Sequence, residues 1–255
     1  MALYFSNYYT FLGLTRILLE SILPALILFP FLLLLAKNQT KVKSIIILVL
    51  IFWVYQILLK APTQTQHIQI IHSKWNWTGK IFTITFGTCI YYLIRERLKP
   101  FDFIGFKKES IFLKRPLIVA SLPILLAFFS YFNPKTEYDF ETLLYESTMP
   151  GIDEEVMFRA VFLGIMLNAL KERISFFNLS IRNPSLILNG LLFGLVHGVQ
   201  ITEELDVNFD YLMGLGTFFY GYLYGWLTVQ SRSILLGVFS HNFSNVLIHL
   251  IPMIK

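Results

Sequence analysis

A single cysteine, Cys89, is all that the 255 residues contain. A disulfide within the chain and a thiolate metal cluster are both excluded, because each needs at least two thiols. Charge is scarce too. Asp, Glu, Lys and Arg make up 15% of the chain, against roughly a quarter in an average soluble domain, which is too little to keep a soluble fold of this length dispersed. The first ten residues, MALYFSNYYT, lack the positive charge of a secretory leader. The apolar run after them is expected to be a retained first span. No soluble domain, repeat or low-complexity tract stands out along the chain.

What remains is apolar: 55% hydrophobic residues, with 25 Phe and 13 Tyr. The class this implies is all-α, a polytopic membrane helical bundle of about eight transmembrane helices forming one membrane domain over 1–255. The spans are expected near 11–36, 44–59, 79–94, 112–132, 152–170, 184–200, 211–229 and 232–251. They are read as helices because backbone in lipid must bond internally. The alternating segments of about 10 residues that a closed barrel needs are not visible. Trp75 and Trp77 precede the third span as expected interfacial anchors.

The net charge of +5 would suggest nucleic acid in a soluble protein. Here it has a simpler source. With these spans, fourteen Lys and Arg fall in loops on one side and five on the other. The positive-inside rule puts the richer side in the cytoplasm and both termini outside. The expected partner on this ground is membrane lipid, with no nucleic acid. The loop over 95–115 is basic and aromatic and reads either as an amphipathic surface element or as an ordinary positive-inside loop, the simpler of the two.

Ionisable groups inside a span are costly and each needs a reason. The fifth span opens PGIDEEVMFRAVFLG. Pro150 and Gly151 are expected to precede the helix, and Asp153 in its first turn to complement the dipole. Glu155 and Arg159 are four apart and can pair on one face, while Glu154 is turned about 100° away. On the sixth span Asn189, Phe193 and His197 share a face beside a small-residue stripe of Gly190, Gly194 and Gly198, which favours close helix packing. On the eighth, Gly237, His241, Asn245 and His249 are spaced by four, so this polar stripe must face protein or a wet cavity. The expected depths of Glu154, His197, His241 and Asn245 coincide in one half of the membrane.

Glu154-Glu155-Val156-Met157-Phe158-Arg159 is an EExxxR pattern, Phe193-Gly194-Leu195-Val196-His197 is FxxxH, and His241-Asn242-Phe243-Ser244-Asn245 is HxxxN. In that order on late helices, over about 150–250, they resemble the motifs of the CAAX-protease and bacteriocin-processing family of intramembrane proteases. Asp102-Phe103-Ile104-Gly105-Phe106-Lys107 is similar to a short segment often found before that core. The resemblance implies hydrolysis of a peptide bond in a membrane-associated peptide or protein, and the abundance of Ile, Lys and Phe with few Ala points to a bacterial cytoplasmic membrane. Glu154 would activate a water positioned by His197, His241 and Asn245 would hold that water or stabilise the oxyanion, and Glu155, Arg159 and Phe193 would support them. No cofactor is expected, Asn245 being a natural oxyanion donor and a poor zinc ligand. The alternative is a zinc set of Glu154, His197 and His241 around an open position. His249 matches no motif position and stays outside the expected site. A non-catalytic immunity or scaffold protein on the same fold, and a transporter using the polar stripe, are the competing classes. The transporter would call for an internal repeat that the sequence does not display.

Overall fold

The structure, a computed structural model, describes residues 2–65, 68–105, 114–176 and 179–255. Eight continuous helical stretches run through these residues: α1 (Ala2–Leu34), α2 (Val42–Gln64), α3 (Trp77–Leu98), α4 (Lys114–Ala127, prolonged by a 3-10 turn), α5 (Phe140–Glu154), α7 (Pro184–Gly198), α8 (Tyr211–Ser231) and α9 (Leu235–Ile254). The fifth stretch passes from α5 through a π-helical segment, Glu155–Phe162, into α6 (Leu163–Ala169). Each expected span therefore coincides with a helix. Three stretches, Leu12–Leu34, Gln39–Gln64 and Lys114–Phe132, are long and apolar enough to cross a membrane by length and composition. Two short antiparallel hairpins are present, β1 (Arg173–Phe176) with β2 (Leu179–Arg182) where a loop was expected, and β3 (Val199–Ile201) with β4 (Val207–Phe209), which begins within the end of the expected sixth span. His67, Phe106 and Lys107, and much of the basic 95–115 loop, lie outside the described residues.

Packing divides the chain into two compact units. The first comprises Met1–Ile70 and Ile165–Tyr222. Its α1 and α2 pack together, with Ile45, Leu48, Phe52 and Tyr55 buried along one face of α2. Glu20 on α1 receives an ion pair from Lys60 (3.2 Å) and a hydrogen bond from the Ile201 amide (3.0 Å). These partners let a carboxylate sit on an apolar helix. The glycine stripe of α7 does what small residues allow: a Cβ on Gly194 would lie 2.6 Å from the Gly214 carbonyl of α8.

The second unit comprises Ile71–Gly164 and Leu223–Lys255, and α9 is its axis. α9 packs along α4 and α5, while α3 packs on α5 and the π segment. The chain fastens α9 at several levels. The Ile234 amide donates to Phe103 O (3.1 Å) and Ser233 Oγ to Gly105 O (2.8 Å). Ser240 Oγ donates to Ala120 O (2.6 Å), and the Thr136 amide to Pro252 O (3.1 Å). The segment before the core thus seats the start of the histidine-bearing helix. Asp102 in it is held by the Tyr91 hydroxyl and by Arg95 (3.0 Å).

One expectation is overturned here. Pro150 and Gly151 do not precede a helix. They lie inside one that starts at Phe140, capped by Asp139, whose side chain accepts from the Glu141 amide (3.1 Å). The sequence reading took proline as a boundary because it lacks an N–H and crowds the preceding turn. The helix runs on through Pro150, and a side chain from α9 bonds backbone groups on either side of it. Asp153 is accordingly not a solvated first-turn acid. It is fully buried.

Candidate active site

The site in the second unit is built on facing stripes of α5 and α9. On α5, Glu146, Pro150 and Glu154 recur every four residues; on α9, His241, Asn245 and His249 do the same, and such residues share a helix face. The stripes meet in antiparallel order, Glu154 and Glu155 against His241, Glu146 against Asn245 and His249. Between them Asn242 acts as the clamp: Gly151 N–H donates to its Oδ1 (2.7 Å) and its Nδ2 donates to Thr148 O (3.4 Å). It thereby satisfies backbone groups around Pro150. Gly151 must be glycine, because a Cβ would overlap the Asn242 amide.

Glu154 and Glu155 point to different partners, as their angular offset requires. Glu155 and Arg159 pair across one turn, Nε to Oε2 at 3.3 Å, and both are fully buried. The Arg159 guanidinium also lies 5.7 Å from the ring centres of Phe158 and Tyr224, which supplies cation–π attraction to a desolvated cation. The other oxygen of Glu155 meets His241 Nδ1 at 3.1 Å. This close approach depends on Gly237, where a Cβ would stand 2.9 Å from Glu155 Oε2. The Tyr224 ring stacks on His241 at 5.1 Å and 12°. A carboxylate on Nδ1 and a ring on one face fix the imidazole, so its Nε2 is directed at Glu154 Oε2, 3.7 Å away. That distance exceeds a hydrogen bond. The π-helical segment carries Glu155 and Arg159, and all eight of its residues are buried; such widened turns recur at functional sites.

Sequence reasoning missed Lys80. It had been counted among loop charges, yet on α3 it is buried and gives its ammonium to Asp153 Oδ2 and Glu154 Oε1, both at 2.8 Å. Its signal was a lone lysine at the start of a span, which reads equally well as a snorkelling anchor. Glu146 was also missed, being assigned to a loop. It is buried on α5, where it accepts from Asn245 Nδ2 (2.9 Å) and faces His249 Nε2 at 3.6 Å. His249 is thus part of the polar array after all. Trp75 stacks on Tyr145 at 4.8 Å and meets His249 edge-on at 5.9 Å, and Trp77 Nε1 donates to Glu141 (3.0 Å). Four carboxylates, Glu146, Asp153, Glu154 and Glu155, therefore converge with two cations and two imidazoles. His197 and Phe193 belong to the first unit. There they lie on α7 with ring centres 4.7 Å apart, Phe193 buried and His197 half-buried.

The second unit brings together Glu154, Glu155, Arg159 and His241 on the strength of the spacing already noted, and the comparison with known families decides what that set belongs to. Residues 138–247 match the family model described as type II CAAX prenyl endopeptidase Rce1-like. This segment is of the CAAX protease family. The match spans all three motifs, together with Glu146 and Asn245, and ends just before His249. No curated protein and no solved structure matched the chain. The Rce1-like family is one of proteases, and the three apolar helices have the length and composition of an integral membrane protein.

Among the described residues, no group of three His, Cys, Asp or Glu side chains is arranged to hold a metal ion. The donor chemistry around Glu154 also fits a divalent cation poorly: one carboxylate oxygen already carries the Lys80 ammonium at 2.8 Å, a charge that would repel a second cation at the same group.

Proposed function

We propose that this protein is an intramembrane endopeptidase that hydrolyses a peptide bond in a membrane-associated substrate, with Glu154 activating the water. The observation that carries the reading is the arrangement around Glu154: one carboxylate oxygen on Lys80 and the other 3.7 Å from the fixed Nε2 of His241. At that spacing one water oxygen can touch both groups. Glu154 would take the water's proton as its oxygen attacks the peptide carbonyl. His241 and Asn245 would hold the water or donate to the oxyanion, and His197 would help to position the water. Such a base contributes roughly 10²–10⁴-fold, and an oxyanion donor a similar factor.

The roles divide by environment. Lys80 places its ammonium against one oxygen of Glu154, which leaves the other oxygen for the water, and Asp153 shares that ammonium. Glu155 and Arg159 neutralise each other and orient His241. The scheme needs no metal, and the ammonium beside Glu154 favours it over the zinc set of Glu154, His197 and His241. The substrate class is a prenylated CAAX-type protein or a bacterial peptide or sorting-signal precursor, handled in a bacterial cytoplasmic membrane. A non-catalytic immunity or scaffold role on the same fold is the second reading; retention of every motif residue speaks for the enzyme.

The test is cleavage by the full chain in lipid vesicles, using a fluorogenic farnesylated CAAX peptide and, separately, a bacterial precursor peptide. Glu154→Ala and His197→Ala should each abolish cleavage while leaving the helical circular dichroism and elution volume unchanged. Cleavage that survives both substitutions would overturn the proposal.

A further inference from the structure

The polar stripe of α9 continues beyond the three motifs, and its continuation has a structure of its own. Glu146 is 6% exposed, an acid inside the unit, two helical turns before Glu154 on the same face of α5. Its two carboxylate oxygens are divided between two α9 residues, Oε2 accepting from Asn245 Nδ2 at 2.9 Å and Oε1 facing His249 Nε2 at 3.6 Å. His249 is in turn held edge-on by Trp75, whose ring stacks on Tyr145 and whose Nε1 donates to Thr142 Oγ1 (3.0 Å). A buried carboxyl with one oxygen hydrogen-bonded to Asn245 and the other facing His249 cannot rotate without losing one of these contacts.

We infer that Glu146 is a positioning residue that fixes the side-chain amide of Asn245 for the reaction, with His249 holding Glu146 in place. The inference rests on the protease reading above. The physical argument concerns which end of the amide faces the site. An asparagine amide has an acceptor end and a donor end of nearly equal shape, and its environment alone decides between them. Here Glu146 Oε2 accepts from Nδ2, and that contact fixes the rotamer. The second N–H of that nitrogen then has a set direction, as an oxyanion donor requires. With a neutral amide at position 146, either end of Asn245 would be tolerated, and the donor would be correctly aimed in only part of the molecules.

Two readouts on the full chain in lipid test this. The first is cleavage of the fluorogenic farnesylated CAAX peptide by wild type, Glu146→Gln, Glu146→Asp, Asn245→Ala and the Glu146→Gln/Asn245→Ala pair. Glu146→Gln should lower kcat on the order of tenfold or more with KM within about twofold, Glu146→Asp should recover part of the loss, and the pair should be no slower than Asn245→Ala alone. The second readout needs no turnover: the side-chain ¹⁵N amide resonance of Asn245, identified by its disappearance in Asn245→Ala, should move or broaden in Glu146→Gln. An unmoved resonance, or a double variant whose loss is the product of the single losses, would overturn the positioning role and leave the protease reading standing. A moved resonance in a wild type that cleaves neither the prenylated nor the bacterial peptide would overturn the protease reading and, with it, the role assigned to the contact.

Discussion

α2 and α9 are of similar length and differ in what they bury. α2 passes the length and apolarity needed to cross a membrane and buries Ile45, Leu48, Phe52 and Tyr55, with Gln56 as its buried polar side chain. α9 is not among the stretches that reach that apolarity, and it buries Ser240, His241, Asn242 and Ser244. The polar groups that make α9 chemically useful are those that lower its hydropathy. Hydropathy alone therefore finds the helices that do no chemistry and underrates those that do. On α9 Ser240, His241, Asn242, Asn245 and His249 each meet a partner from another segment, while Ser244 bonds back to the His241 carbonyl, which is how a bundle tolerates such a helix.

Substitutions can break this contrast. The largest effect is expected at Lys80. Lys80→Met leaves Asp153 and Glu154 as neighbouring buried carboxylates without their cation, a loss on the order of 3–5 kcal/mol, measurable as a drop in thermal stability in detergent together with loss of cleavage. Gln56→Leu on α2 should do the reverse. Neither amide atom of Gln56 has a hydrogen-bond partner among the described residues, so an apolar replacement of similar size should leave stability unchanged or raised. A fall as large as that of Lys80→Met would erase the difference between the two helices.

Next in size is Gly151→Ala. Its methyl group would collide with the Asn242 amide and break the clamp at Pro150, costing about 1–3 kcal/mol, seen as a lower melting temperature and reduced cleavage. His249→Ala should be milder, because the residue is half-exposed and acts only through Glu146; a two- to fivefold fall in kcat is the expected order. The smallest effect concerns pH. Hydrogen bonds from Ser73 and then Trp77 hold the Glu141 carboxyl below its ordinary range. A depressed carboxyl stabilises the fold above its unfolded pKa of about 4.3, and that contribution fades as pH falls through the lower folded value. Amide hydrogen exchange at residues 71–76 should therefore quicken, relative to Glu141→Gln, only on acidification below about pH 4.

The contrast also explains what could be read from sequence. The eight helical stretches were legible because long apolar runs leave the backbone no alternative in lipid. Glu155 with Arg159, and His241 with Asn245, were legible because an i to i+4 spacing places them on one face whatever the neighbours. Lys80 was not, since nothing in a sequence says that a lysine on α3 turns inward to two acids on α5. Glu146 and the true start of α5 were hidden together. Pro150 reads as a helix boundary, and the side chain that braces the helix around it, Asn242, lies 91 residues from its partner Gly151. The two hairpins were missed because strands of three or four residues carry too little pattern to register.

The central claim is that Glu154 activates water without a metal. Elemental analysis of purified full-length protein, combined with cleavage before and after chelator treatment for wild type and Glu154→Gln, tests it most directly. The account predicts that metal-free wild type retains its rate while Glu154→Gln is slower by about 10²-fold or more. Stoichiometric zinc, with cleavage lost on chelation and restored by added zinc, would contradict it and make Glu154 a ligand.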